Sequence, residues 1–271
     1  MPELPEVETI RRGIAPFIVG RKVQGVVLRT TMLRWPVPAD LAERLTGRTV
    51  QDVERRGKYL LLGTDGGTLL IHLGMSGYLR ILEKSLPPGK HDHADIDFTG
   101  GICLRLNDTR RFGALLWVEG DPLRHPLLAG LGPEPLSGDL TGDYLHGRAR
   151  GRRIAVKPFI MDHRVVVGVG NIYASESLFR AAIDPRTPAG RLSPDRYRQL
   201  ATAIRQVLEE AIAAGGTTLR DFSDQNGRPG YFALQLQVYG RDGEPCLVCG
   251  RAVEKITLGQ RSTYFCPRCQ R

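Results

Sequence analysis

No stretch of this 271-residue chain approaches the roughly 20 consecutive apolar residues that a membrane-spanning helix requires. Its opening, MPELPEVET, lacks the basic start and the apolar run of a secretory signal, so a cytoplasmic location is expected. Internal repeats and low-complexity tracts are missing as well, which excludes a repeat array. Cysteine is scarce: there are five, and four of them fall in the last 26 residues. The fifth, Cys103, lies in the apolar, strand-like stretch Ile102 to Leu106 and reads as a small buried hydrophobe. Acidic residues are outnumbered by basic ones, 29 to 38, leaving a net charge of +9.

What is present is an ordinary globular composition, 41% hydrophobic and 25% charged, on a chain long enough for about two domains. A basic excess of this size suits a polyanionic partner, because each Lys or Arg set on a phosphate releases condensed counterions. Residues 1–16 read as a short helix, with Pro2 and Pro5 at its start and Glu3, Glu6 and Glu8 at its positive end. Residues 21–120 are rich in short β-type runs such as Val23–Leu28, Tyr59–Leu62, Thr68–His72 and Ala114–Val118, punctuated by Gly and Asp. That pattern predicts a β-sandwich or barrel-like domain. The stretch 131–140 reads as a linker, after which the signals turn helical. Ser193-Pro194-Asp195 starts a run to about Ala214, with Leu200, Ile204, Val207, Leu208 and Ile212 at helical spacing. A polar, glycine-rich segment, 215–230, follows.

The C-terminal segment reads Cys246-x2-Cys249-x16-Cys266-x2-Cys269. Two knuckles joined by a hairpin would close a tetrahedral four-cysteine site with no position open to water, so one structural Zn2+ is expected. Two disulfides or a redox pair are the competing reading. The segment is too small to bury its own core, and the metal would supply folding free energy. From 241 to 271 there are six Lys or Arg against three acids, which aims the module at phosphates. The His91-Asp92-His93 cluster also admits a metal reading, although no further ligands are evident. Gly168-x-Gly170 does not complete a dinucleotide fingerprint, because position 173 is Tyr.

MPELPEVE at the start, GVGNIYASE in the middle and the four-cysteine ribbon at the end together resemble bacterial formamidopyrimidine-DNA glycosylase. RRGKYLLL, HLGMSG, KHDH, DTRRFG and GGTTLRDF match in the same order, so the resemblance covers essentially the whole chain. It implies an α+β multidomain protein. An N-terminal β-sandwich catalytic domain with a leading helix would occupy 1–131, and a helical domain with a helix–two-turn–helix element 132–222. The lesion loop and zinc finger would take 223–271, the finger itself about 237–271. It implies a bifunctional glycosylase and abasic-site lyase acting as a monomer on damaged double-stranded DNA.

The resemblance also assigns roles. Removal of Met1 would expose Pro2 as a secondary-amine nucleophile, with Glu3 as general acid/base and Lys58 and Arg261 near the reacting sugar. An α-amine titrates near 8 and a lysine near 10.4, so the terminal amine has far more free base at neutral pH. Met75, Arg110 and Phe112 would form the wedge that fills the gap left by a flipped base, Arg110 facing the orphaned cytosine. His91, Arg110, Arg152, Lys157, Asn171 and Arg261 would hold DNA, and Glu6, Glu176, Thr217, Arg220 and Tyr231 would line the lesion pocket. The family pattern places proline before the two arginines, where this chain has Thr109. Two alternatives share the fold: an enzyme resembling endonuclease VIII that removes oxidised pyrimidines, and a DNA-binding protein without catalysis. The opening Pro2-Glu3-Leu4-Pro5-Glu6-Val7 and the segment 215–231 favour the purine enzyme, and intact catalytic positions weigh against the second.

Overall fold

The structure is a computed structural model that describes residues 2–83, 86–216 and 236–271. The described residues fall into two compact units. One runs to Ala129 and takes in Gly215 and Gly216; the other holds Gly130–Ala214 and the C-terminal residues from 236 onward.

The first unit begins with helix α1, Leu4–Ile18. It starts later than the sequence pattern predicts because Glu3 is its cap. Glu3 and Glu6 form a capping box, and proline at the first turn costs no hydrogen bond there. Val7, Ile10, Ile14 and Ile18 recur every three or four residues and are buried in the sandwich core. Eight strands follow: β1 Val23–Leu28, β2 Val50–Arg56, β3 Tyr59–Thr64, β4 Gly67–His72, β5 Gly77–Glu83, β6 Asp92–Phe98, β7 Ile102–Asp108 and β8 Ala114–Val118. They make two antiparallel four-stranded sheets, ordered β1-β6-β7-β5 and β2-β3-β4-β8. Leu60, Leu62, Leu69 and Ile71 of one sheet share a core with Ile96, Leu104 and Leu106 of the other, the expected β-sandwich. Cys103 is buried on β7 as expected. Helix α2, Leu41–Leu45, lies between β1 and β2 in sequence, and α3, Pro126–Ala129, ends the unit.

Glu8 ties α1 to the sandwich. Its carboxylate accepts from Arg11 and Arg12 at 2.8 Å and from Arg55 of β2 at 3.0 Å. Burial alone would raise this carboxyl, but the bonds from Arg11, Arg12 and Arg55 outweigh it and hold the pKa at about 2, against 4.5 for the free group. Because the folded value is depressed, the stabilisation is complete above about pH 4.5 and is lost as pH falls towards 2. Acid titration followed by circular dichroism should therefore show a shallower loss of stability between pH 4.5 and 2 for Glu8→Gln than for the parent. Parallel curves would remove Glu8 from the acid limb.

The second unit is helical. Its helices are α4 Gly142–Ala149, α5 Val156–Met161, α6 Asn171–Arg180 and α7 Pro194–Ala213. Ser193 caps α7, its hydroxyl accepting from the Arg196 N–H at 3.3 Å, and Pro194 takes the first turn. Leu200, Ile204, Val207 and Leu208 are buried against Tyr173, Leu178 and Phe159. The described residues end in a ribbon, β9 Glu254–Leu258 paired antiparallel with β10 Arg261–Phe265. Among the described residues, no helix is long and apolar enough to cross a membrane.

Candidate active site

In the first unit, Pro2 and Glu3 stand at the start of α1, and Glu3 is 2% exposed. The Glu3 N–H donates to Glu6 Oε2 at 2.8 Å, so the buried Glu6 carboxylate fixes the backbone that carries Glu3. Gly216 lies against the same carboxylate. A Cβ added there would come 3.2 Å from Glu6 Oε1. Lys58 is half-buried in the two-residue turn between β2 and β3. Gly57 takes φ +59° as the first turn residue, the conformation a tight hairpin asks of glycine. Arg55 lashes this turn to α1: Nε meets Glu8 at 3.0 Å, and Nη1 donates to the Gly57 carbonyl at 3.1 Å.

Two loops project from the same unit. Leu73–Gly77 is closed by the Gly77 N–H donating to the Leu73 carbonyl at 2.8 Å and carries Met75, half-buried. Residues 109–113 carry Arg110, Arg111 and Phe112, all exposed, with the Arg110 guanidinium 5.0 Å above the Phe112 ring. The loops touch through backbone. Gly74, at φ +62°, lies so close to the Phe112–Gly113 peptide that a Cβ would fall 2.3 Å from the Phe112 carbonyl carbon. Gly74 also donates its N–H to His72 Nδ1 at 3.0 Å, and the His72 ring packs 4.8 Å from that of Tyr59. Burial first, then the charges of Lys58 and Arg34, push the His72 pKa down to about 4, so the ring is neutral at physiological pH.

Beneath both loops lies Asp108, the fully buried last residue of β7. Its Oδ1 accepts from the Ser76 hydroxyl at 2.7 Å and the Arg110 N–H at 3.3 Å, and its Oδ2 accepts from the Gly113 N–H at 2.7 Å. Its own N–H donates to the His91 carbonyl at 3.0 Å, and its carbonyl accepts from His93 Nε2 at 2.8 Å. Arg111 closes a turn onto the Asp108 carbonyl at 3.3 Å while held at φ +56°, a costly conformation for a side-chain-bearing residue. These bonds shape the loop at the position where this chain has Thr109.

In the second unit, Lys157 is 1% exposed although it carries a charge. Its Nζ donates to Asn171 Oδ1 at 2.7 Å, the Ser262 carbonyl at 3.0 Å and Thr263 Oγ1 at 2.8 Å. Asn171 opens α6, and its Nδ2 donates to the same Ser262 carbonyl at 2.9 Å. Lys157 and Asn171 thus join α5, α6 and β10. Arg261 is exposed at the start of β10, next to a two-residue turn whose Gly259 and Gln260 take φ +53° and +61°. Arg152 is exposed in the loop before α5. Glu176 is buried, and its carboxylate accepts from the N–H groups of Gln237, Val238 and Tyr239 at 2.8 to 3.1 Å. Burial pushes its carboxyl above the usual range against the pull of those donors. Thr217, Arg220 and Tyr231 lie outside the described residues.

The four C-terminal cysteines come together, their sulfurs all within 4.8 Å of one another. Cys249 and Cys266 are 3.5 Å apart, and Cys246 and Cys269 3.9 Å. A tetrahedral zinc with Zn–S bonds of about 2.3 Å sets its sulfurs about 3.8 Å apart, so the cluster fits one ion. Disulfides are excluded at these separations. No other group of three ligand residues stands among the described residues. In the His91–His93 cluster, the His93 Nε2 proton is spent on the Asp108 carbonyl.

Sequence reasoning did not single out Ser76, His72, Arg55 or the anchoring role of Asp108. Each acts on backbone groups distant in sequence, and no local spacing signals such a bond.

Family models match along the chain: the formamidopyrimidine-DNA glycosylase N-terminal domain at 1–115, the formamidopyrimidine-DNA glycosylase H2TH domain at 131–223, and a zinc finger found in FPG and IleRS at 243–271. The formamidopyrimidine-DNA glycosylase of Syntrophotalea carbinolica is 62% identical over 271 residues, all of both chains. Among solved structures, a Lactococcus lactis FPG mutant in complex with a Fapy-dG containing DNA is 36% identical, with a TM-score of 0.93 over 100% of both chains. The Lactococcus lactis protein in complex with an abasic site containing DNA is 35% identical, with a TM-score of 0.93 over 99% of both.

Proposed function

The chain belongs to the formamidopyrimidine-DNA glycosylase family, and from that premise we propose how its residues carry out base excision repair. It excises oxidised purines, 8-oxoguanine and formamidopyrimidines, from damaged duplex DNA and then cleaves the abasic site. The observation that carries the residue assignment is the convergence of Pro2, Glu3 and the Lys58 turn on α1, through the Glu8–Arg55–Gly57 linkage.

After removal of Met1, the Pro2 nitrogen is a secondary amine. Its lone pair attacks C1′ of the everted nucleotide, and the bond from C1′ to the base breaks. Glu3 supplies a proton to the departing base or to the opened sugar oxygen. A secondary amine gives an iminium cation directly, and that cation draws electrons from the sugar so that β- and then δ-elimination release the flanking phosphates. Lys58 and Arg261 hold the phosphates and sugar near the reacting carbon. Met75, Arg110 and Phe112 fill the space the base vacates; Phe112, 43% exposed with Arg110 over its ring, has the form of an apolar wedge. His91 and Arg152 grip the backbone. Lys157 and Asn171 set the α6 start and the Arg261 strand in one register for phosphate binding. Glu6, Glu176, Thr217, Arg220 and Tyr231 form or support the lesion pocket. Cys246, Cys249, Cys266 and Cys269 hold one zinc, which supplies folding energy to the ribbon and takes no part in bond making. We assign the three regions as 1–131, 132–222 and 223–271, acting as a cytoplasmic monomer associated with the nucleoid.

The test compares duplexes carrying 8-oxoguanine or thymine glycol opposite their normal partners. The purine lesion should be excised at least tenfold faster, with strand cleavage leaving phosphate at both ends of the gap. Faster release of the pyrimidine would transfer the chain to the endonuclease VIII type of activity.

A further inference from the structure

The wedge residues sit on two loops that are far apart in sequence, one between β4 and β5, the other between β7 and β8. Intercalation demands that Met75, Arg110 and Phe112 keep fixed relative positions while stacked bases push against them. Exposed loops do not supply that stiffness unless something beneath them does.

We infer that Asp108 is the positioning residue of the wedge, a single buried carboxylate that locks the Met75 loop and the Arg110–Phe112 loop into one rigid body. This rests on the wedge reading given above. Its oxygens divide the work. Oδ1 takes the Ser76 hydroxyl, next to Met75, together with the Arg110 N–H; Oδ2 takes the Gly113 N–H, next to Phe112. The Ser76 hydroxyl itself accepts from the Arg110 N–H at 3.0 Å, closing a small ring of bonds between the loops. Gly113 leaves no room for slack, since a Cβ there would lie 2.8 Å from the His72 carbonyl oxygen and 2.9 Å from Asp108 Oδ2. Asp108 also binds the His91 carbonyl and His93 through its backbone, so the phosphate contact proposed at His91 shares the anchor.

The three side-chain bonds come from neutral donors, and a carboxylate accepts at both oxygens. Asparagine should therefore not replace it. Turned one way, the amide NH2 faces the Gly113 N–H; turned the other, it faces the Arg110 N–H and forces the Ser76 hydroxyl to reverse and accept, which leaves that hydroxyl without its own acceptor. One side of the lock opens, and Arg111, held at φ +56°, is free to relax and carry Phe112 with it.

The experiment uses the full-length zinc-loaded protein and an 8-oxoguanine:cytosine duplex with 2-aminopurine beside the lesion. Stopped-flow fluorescence reads unstacking, and quenched-flow reads excision. Asp108→Asn should slow the unstacking phase at least tenfold. Phe112→Ala should slow it comparably. The double variant should be slower than Phe112→Ala alone by no more than the two- to fivefold that the Met75 arm carries, well short of the product of the two single losses, because both changes disable the same device. Ser76→Ala removes the Met75 arm and the Ser76–Arg110 bond but leaves Asp108 bonded to Arg110 and Gly113; it should give a smaller, two- to fivefold, slowing. Parent-like unstacking in Asp108→Asn, or multiplicative losses in the double variant, would overturn the inference. Should Asp108→Asn fail to fold, parent-like unstacking in Ser76→Ala overturns it instead. Parent-like unstacking in Phe112→Ala would strike the wedge reading itself, and that arm is independent of Asp108.

Discussion

Borohydride added while the protein turns over an 8-oxoguanine:cytosine duplex is expected to leave protein and DNA covalently joined, with the join on the N-terminal peptide. Reduction converts the iminium to a stable amine, so the adduct records which nitrogen attacked. Two amines compete, Pro2 at the start of α1 and Lys58 on the hairpin tethered to that helix. At neutral pH an α-amine near pKa 8 offers roughly two orders of magnitude more free base than a lysine near 10.4. Pro2→Gly keeps an α-amine but a primary one, so trapping should persist at a reduced rate. Retention of Met1, which turns the Pro2 nitrogen into an amide, should abolish trapping. Lys58→Met should leave the adduct on the first peptide. An adduct on Lys58 in the parent protein would reassign the nucleophile.

Loss of zinc should have the other large effect, and a local one. Cys249→Ser is expected to release the metal and to erase amide protection throughout 243–271, while the helical core around Tyr173, Tyr197 and Leu200 keeps its protection. The asymmetry follows from the sizes of the two cores. Among the described residues, the cluster beneath the finger holds Phe179, Val238, Val253, the partly buried Tyr264 and the cysteines themselves, whereas the helical unit buries more than twenty apolar residues. A structural zinc contributes about 10–16 kcal/mol of apparent binding energy, far more than so small a cluster can offer. DNA affinity should fall at least tenfold as Arg261 loses its strand. Hydrogen exchange with and without chelator, beside a metal assay, reads both effects. Zinc retained in Cys249→Ser, or global unfolding, would contradict this division.

The parts of the fold legible in the sequence were those with local causes. Val23–Leu28 and Ala114–Val118 are legible as strands because short β-type runs punctuated by Gly and Asp suffice, and α7 follows from Ser193-Pro194 and its apolar spacing. The four cysteines announce their cluster by spacing alone. The start of α1 was less legible, since Pro2 and Glu3 carry helix-start character without being helical. Strand partners were not legible, because β1 pairs with β6 and β5 with β7 across long separations. Family resemblance named Lys157 and Asn171, but no pattern says that the Lys157 amine is buried on Asn171, Ser262 and Thr263. The Asp108 hub was hidden for the same reason: its partners at 76, 91, 93 and 113 are joined by folding alone.

The Lys157 amine has a bearing on how far the ribbon can be treated as a transplantable part. The finger is a recurring unit, found in FPG and IleRS. Here, however, its hairpin is wired to its host at several points. Lys157 and Asn171 grip Ser262 and Thr263, Gln270 donates to the Ile183 carbonyl at 2.8 Å, and Arg271 donates to the Ala182 carbonyl at 3.0 Å. Residues 243–271 cut out and grafted elsewhere would keep their cysteines yet lose every one of these moorings. A chimera that exchanges fingers between relatives should therefore exchange the matching host positions, 157, 171 and 179 first among them, or the borrowed ribbon will point its arginine nowhere in particular.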